Sequence, residues 1–147
     1  MKAENTIKAG DYFTVPLSDG RFALCQGIWN GVNSDKKKFK NIFAFCVLSV
    51  SNDKLPSDNG SYLEFEYNKK KFKVIFSALE KISSGEWQVV GSGLLEKREF
   101  KDFYFNMAGT LYCNGDPVGA LPLDEYQRYI TLAVSGYALI DKFLMQY

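Results

Sequence analysis

Residues 42–50, Ile-Phe-Ala-Phe-Cys-Val-Leu-Ser-Val, form a nearly unbroken apolar run rich in β-forming side chains. Successive side chains of a strand point to opposite faces, so a run without polar alternation needs cover on both. It predicts a central strand with material packed above and below it.

The flanking segments read as hairpins. In residues 11–28 the dipeptide Asp19-Gly20 suits a two-residue turn, because Gly takes positive φ without steric cost and Asp tolerates it. Counting outward pairs Ser18 with Arg21, Leu17 with Phe22, Val15 with Leu24 and Phe13 with Gln26, which gathers the apolar members on one face. Pro16 lies on the opposite face and has no N–H to donate, so this strand is expected to be unpaired on one side there.

A second hairpin is expected over residues 62–76 around Asn68-Lys69. It sets Leu63 against Val74 and Phe65 against Phe72 on one face. On the other, Glu64 faces Lys73 and Glu66 faces Lys71, so apolar and charge pairing select the same register.

Between and beyond these, residues 33–41 form a polar loop with Lys36, Lys37, Lys38 and Lys40, and residues 51–60 have the composition of a long turn. Ser77 and Glu80 are spaced as a capping box, opening a short helix that stops at Gly85. Residues 87–90, 103–106 and 111–113 read as extended, with a turn at Asn114-Gly115, after which Pro117 limits the return strand to an edge. Tyr126, Ile130, Ala133, Val134, Tyr137 and Ile140 recur at helical spacing behind Asp124 as N-cap, which predicts a helix over residues 124–143. Gly136 inside it calls for close packing or a break.

A chain of 147 residues without repeats or linkers reads as one domain spanning residues 1–147, burying roughly 70% of its unfolded surface. The fold class expected is α+β: a mostly antiparallel sheet or partly open barrel built from hairpins, with one short helix and a C-terminal helix packed on it. The amino-terminal residues carry no apolar run of the kind a secretory signal needs, and the stretch 130–140 is shorter than the ~20 residues that cross a bilayer. A cytoplasmic protein is expected, with no membrane contact. Cys25, Cys46 and Cys113 show no C-x-x-C spacing and read as reduced core residues.

The chain contains no histidine. That removes the commonest general base, the commonest metal ligand and the usual partner of a serine or cysteine nucleophile. Gly91-Ser92-Gly93 is not spaced as a phosphate-binding fingerprint, and Asp53, Asp58, Asp124 and Glu125 are not spaced around a metal. The sequence therefore points away from an enzyme, and no catalytic residue, cofactor or metal is assigned. Lys36-Lys37-Lys38-Phe39-Lys40 and Lys69-Lys70-Lys71-Phe72-Lys73 place an aromatic among cations, which suits phosphate contact and base stacking. A net charge of +1 lacks the basic excess of a nucleic-acid binder, so Lys36, Lys37 and Lys38 serve only an alternative reading. Trp29, where the first hairpin runs out, could anchor an interface, whereas Trp87 fits a core role.

Two segments carry a family resemblance. The first is Gly10-Asp11-Tyr12-Phe13-Thr14-Val15-Pro16-Leu17-Ser18-Asp19-Gly20-Arg21-Phe22 with Gln26-Gly27-Ile28. The second is Val74-Ile75-Phe76 followed by Ser84-Gly85-Glu86-Trp87-Gln88-Val89-Val90-Gly91. Together they resemble the bacterial polymorphic-toxin immunity proteins of immunity protein family twenty-six, over residues 9–105. The resemblance implies a non-catalytic protein that binds and neutralises a cognate toxin domain by occlusion. Arg21, Trp29, Asp58, Glu64 and Glu66 are the candidate partner-binding residues, offering an aromatic or Arg anchor and complementary charge. The alternative is an SH3-like or other small β-barrel module that binds RNA or a peptide. Oligomeric state is left open.

Overall fold

The computed structural model describes residues 6–33, 37–53, 61–93 and 102–147. Strands β1 (Asp11–Pro16), β2 (Phe22–Asn30), β3 (Ile42–Ser51), β6 (Val74–Ala78) and β7 (Gln88–Ser92) form an antiparallel sheet in the order β6-β3-β2-β1-β7. A hairpin of β4 (Phe65–Tyr67) and β5 (Lys70–Phe72) stands apart. Strands β8 (Tyr104–Met107), β9 (Thr110–Cys113), β10 (Asp116–Ala120) and β11 (Ile130–Thr131) make a second sheet, β10-β9-β8-β11, in which only β11 runs parallel to its neighbour. Helices α1 (Glu80–Ser84) and α2 (Tyr137–Leu144) complete the described secondary structure, with three short 3-10 segments. The two larger sheets are open, and the α+β, mostly antiparallel class read from the sequence is the one observed.

β3 lies inside the first sheet, and its apolar run is covered on both faces. Phe43, Phe45 and Val47 enter one core with Phe13, Val15, Ile82, Trp87, Ile140 and Phe143, which brings in α1 and α2. Ala44, Cys46 and Leu48 enter the other with Trp29, Phe39, Phe103, Phe105 and Tyr112, which brings in the second sheet. The molecule is thus three layers deep, with the five-stranded sheet in the middle. Phe13 makes edge contacts with Phe43 and Phe45 and stacks on Trp87 at 5.8 Å between centroids. Such pairs add to area burial, which explains the chain's many aromatics.

The first hairpin departs from its expected register by one residue. Leu17 N–H donates to Arg21 O at 2.8 Å, so the loop is Ser18-Asp19-Gly20, with Gly20 at φ 90°. Phe13 then opposes Cys25 and Val15 opposes Ala23, while Leu24 turns to the other face. Grouping Val15 with Leu24 presupposed one buried face; β2 is buried on both, so Leu24 packs against the second core. As expected at Pro16, the β1–β7 ladder ends at Thr14.

The second hairpin keeps its register over Phe65–Phe72, Glu66–Lys71 and Tyr67–Lys70, closed by Asn68 and Lys69 at φ 52° and 64°. It parts sooner than expected. Leu63 N–H donates to Val47 O at 2.8 Å and Val74 pairs with Cys46, because the main chain of β3 captures both ends of the hairpin.

Two helix expectations fail for the same kind of reason. Ser77 is a buried residue of β6 whose hydroxyl donates to Ala78 O, so α1 has no side-chain cap; its end at left-handed Gly85 is as expected. The helix over residues 124–143 is instead a 3-10 turn (Leu123–Arg128), β11 and α2. Leu132 N–H donates to Asn106 O at 2.9 Å and Ser135 N–H to Phe76 O at 3.0 Å, so edges of both sheets hold the segment extended. Gly136 marks the break, as N-cap of α2. The Asn114-Gly115 turn and the edge position of Pro117 hold.

Cys25, Cys46 and Cys113 are unbridged. Burial, followed by the neighbouring Cys46, pushes the Cys25 thiol well above its ordinary value. Among the described residues, no helix is long and apolar enough to cross a membrane, and no group of three or more Cys, Asp or Glu is placed to hold a metal ion.

Candidate protein-binding site

Arg21 follows the first hairpin turn. Its N–H and Nε–H donate to the Asp19 carboxylate at 3.0 and 2.7 Å, and its Nη1 donates to the main-chain oxygen of Tyr147 at 2.6 Å. The hydrogen bonds from Arg21, backbone first, hold the Asp19 carboxyl below its ordinary value. Arg21 therefore ties the turn to the segment after α2.

That segment reaches β4. The Gln146 side-chain amide accepts from Glu66 N–H at 3.1 Å and donates to Glu66 O at 2.8 Å. The Tyr147 hydroxyl donates to Glu64 O. Tyr147 meets the Phe65 ring edge-on at 5.4 Å, and Tyr67 and Phe72 both pack on Phe143 of α2. An open cleft of about 300 Å³ lies between Glu64, Phe65, Glu66, Lys71, Gln146 and Tyr147.

Three of the five candidate residues, Arg21, Glu64 and Glu66, thus meet around Met145–Tyr147. Beside them Tyr67, Met145 and Tyr147 are 47%, 41% and 48% exposed, large side chains of the types enriched at interfaces. None of these three was singled out from the sequence, because their exposure depends on where α2 stops. Trp29 is a correction. It is only 5% exposed, packed against Phe39, Phe103 and Phe105, so it holds the second core together and does not reach the surface as an anchor. Asp58 lies outside the described residues.

Of the nucleic-acid alternative, Lys36 also lies outside them and Lys37 is exposed. Lys38 donates to the Tyr112 hydroxyl at 2.9 Å and sits 5.2 Å from that ring's centroid. Lys38 is itself exposed, with its ammonium resting on the Tyr112 side of the aromatic cluster.

A second cleft, of about 370 Å³, opens between the end of β1, α1 and α2, lined in part by Lys81, Trp87, Tyr137 and Asp141. Its charged groups are engaged: Asp141 accepts from Ser18, and Lys81 lies 3.6 Å from the Glu86 carboxylate and 4.5 Å from the Tyr137 ring centroid. Gly91 and Ser92 belong to β7, and Gly93 N–H donates to Gly10 O at 2.8 Å, so this glycine pair serves the sheet edge.

No known protein family, characterised protein or solved structure matches the chain.

Proposed function

We propose that the chain is an immunity protein: a protein-binding domain that neutralises a cognate bacterial toxin by occluding it, without turnover. The observation that carries this reading is the meeting of Arg21 and the main chain of Glu64 and Glu66 with Met145–Tyr147, which gathers the exposed side chains of Glu64, Glu66, Tyr67, Met145 and Tyr147 around β4. Aromatic, Met and Arg side chains supply contact area, and the carboxylates supply a rim that selects a partner by charge. The hydrogen bonds from Arg21 to Asp19 hold the neighbouring turn in place, which lowers the entropy lost on binding.

Co-expression with candidate toxin domains taken from the neighbouring genes tests it. Growth should be rescued, and the two proteins should elute together on size exclusion. Tyr67→Ala or Glu64→Lys should weaken the complex by at least ~10-fold. Absence of both rescue and a complex would overturn the proposal, and salt-sensitive retention on RNA in their place would favour the β-module alternative.

A further inference from the structure

We infer that the outward edge of β4 is a docking site for an extended segment of a partner, with basic residues at alternate positions, and that Gln146 and Tyr147 occupy it until the partner arrives. The inference deepens the protein-binding reading and rests on it.

The observation is a row of main-chain groups. In a hairpin closed by a two-residue turn, Tyr67 and Lys70 form the first hydrogen-bonded pair, so the N–H and C=O of Glu66, one residue back, point away from β5. Two residues further back, Glu64 O points the same way. All three groups are satisfied by side chains of one short segment: Gln146 takes Glu66 N–H and O, and Tyr147 takes Glu64 O. A primary amide presents one donor and one acceptor, as a peptide unit does, and here it stands where the next strand of a sheet would lie.

A side-chain plug of this kind is readily exchanged. Along the edge it makes hydrogen bonds through one amide and one hydroxyl, and both side chains are exposed; the Arg21 bond to Tyr147 O lies off the edge, and the Tyr147–Phe65 ring contact is the packing that a partner would have to replace. A partner strand would replace these bonds with main-chain ones and extend the ladder, which is how strand-addition interfaces obtain their affinity. Charge sets the chemistry of that strand. Glu64 and Glu66, two residues apart and both exposed, project to the same face of β4, and Lys71 faces Glu66 from the β5 side. An incoming strand on the opposite side places its own alternate side chains beside these carboxylates, where Lys or Arg is favourable and Asp or Glu is not.

The test uses the full chain and a synthetic peptide alternating lysine with threonine, followed by nuclear magnetic resonance. Amide shifts should concentrate at residues 64–67, and a peptide alternating glutamate with threonine should bind at least ~10-fold more weakly. Gln146→Ala and Tyr147→Phe each leave the core intact and remove part of the plug. Each should tighten binding of the lysine peptide by about fivefold to tenfold. The inference is overturned if the lysine peptide does not bind, if its shifts map elsewhere, or if both substitutions leave binding unchanged or weaker. Failure of toxin rescue in co-expression removes the toxin reading and leaves this measurement standing. Intact rescue without peptide binding removes the docking edge alone.

Discussion

The carboxylate of Asp141 accepts two hydrogen bonds from Ser18, one from its amide at 3.0 Å and one from its hydroxyl at 2.7 Å. One side chain of α2 thereby holds the β1–β2 turn, 123 positions away in the chain. Bonds to an ionised acceptor contribute about 1.5–3 kcal/mol, less where water competes, and this pair is at the surface. Asp141→Ala should lower unfolding free energy by about 1–2 kcal/mol in urea titrations, and Ser18→Ala by roughly half as much. A double-mutant cycle should give a coupling above about 0.5 kcal/mol; strict additivity would show that the contact carries no stability.

Gly31 follows β2 directly. A Cβ built there falls 1.9 Å from Phe39 O, and Phe39 is fully buried among Trp29, Phe105 and Tyr112. Relief would require moving backbone tied to the second core. Gly31→Ala should therefore cost about 3 kcal/mol or more, with loss of near-ultraviolet circular dichroism from the aromatic cluster. A variant as stable as the parent would show that the chain at residues 37–39 is free to shift.

Among the described residues, two-residue turns of one kind occur at three places. Asn114-Gly115 and Asn68-Lys69 have both residues at positive φ, and so does Ala108-Gly109, with Ala108 at φ 52°. A left-handed Ala costs roughly 1–2 kcal/mol, whereas Asn tolerates that region and Asn-Gly is the preferred pair. Ala108→Asn should raise the unfolding free energy by about 0.5–1 kcal/mol, seen as a higher denaturation midpoint, without altering the β8–β9 register. A fall in the midpoint would show that the Asn side chain meets an obstacle in this turn.

These turns mark what sequence reasoning could reach. Local chemistry located Asn114-Gly115 and the Glu66–Lys71 pairing, and the apolar run of β3 announced its two covered faces. The register at Asp19-Gly20 was not legible, because Leu24 had a second core to enter and face-matching chooses correctly only when one face is wet. Residues 124–136 misled for a related reason. Their helical spacing is real, but Asn106 and Phe76 offer main-chain partners that hold residues 130–135 extended. The site was half legible. Arg21, Glu64 and Glu66 could be chosen by chemistry, yet only the path of Met145–Tyr147 joins them, through contacts 126 and 80 positions apart in the chain.

Tyr137 links stability to alkaline pH. Its hydroxyl is buried without a hydrogen-bond partner of good geometry among the described residues, and burial above all, with Glu80 and Glu86 adding, raises the phenol above its ordinary value of 10.0. A raised value means that the folded chain keeps a proton the unfolded chain has released. The resulting stability is fully present below the unfolded value, and it is lost as pH rises from there through the folded value. Tyr137→Phe removes both effects. At neutral pH it deletes a hydroxyl desolvated without compensation and leaves a ring for the Lys81 ammonium 4.5 Å away, so stability should rise by about 0.5–1 kcal/mol. Above about pH 10 the parent should lose stability faster than the variant, so the gap between their urea midpoints should widen with pH. A gap that stays constant or narrows would mean that the phenol titrates alike in both states and that water already reaches its oxygen.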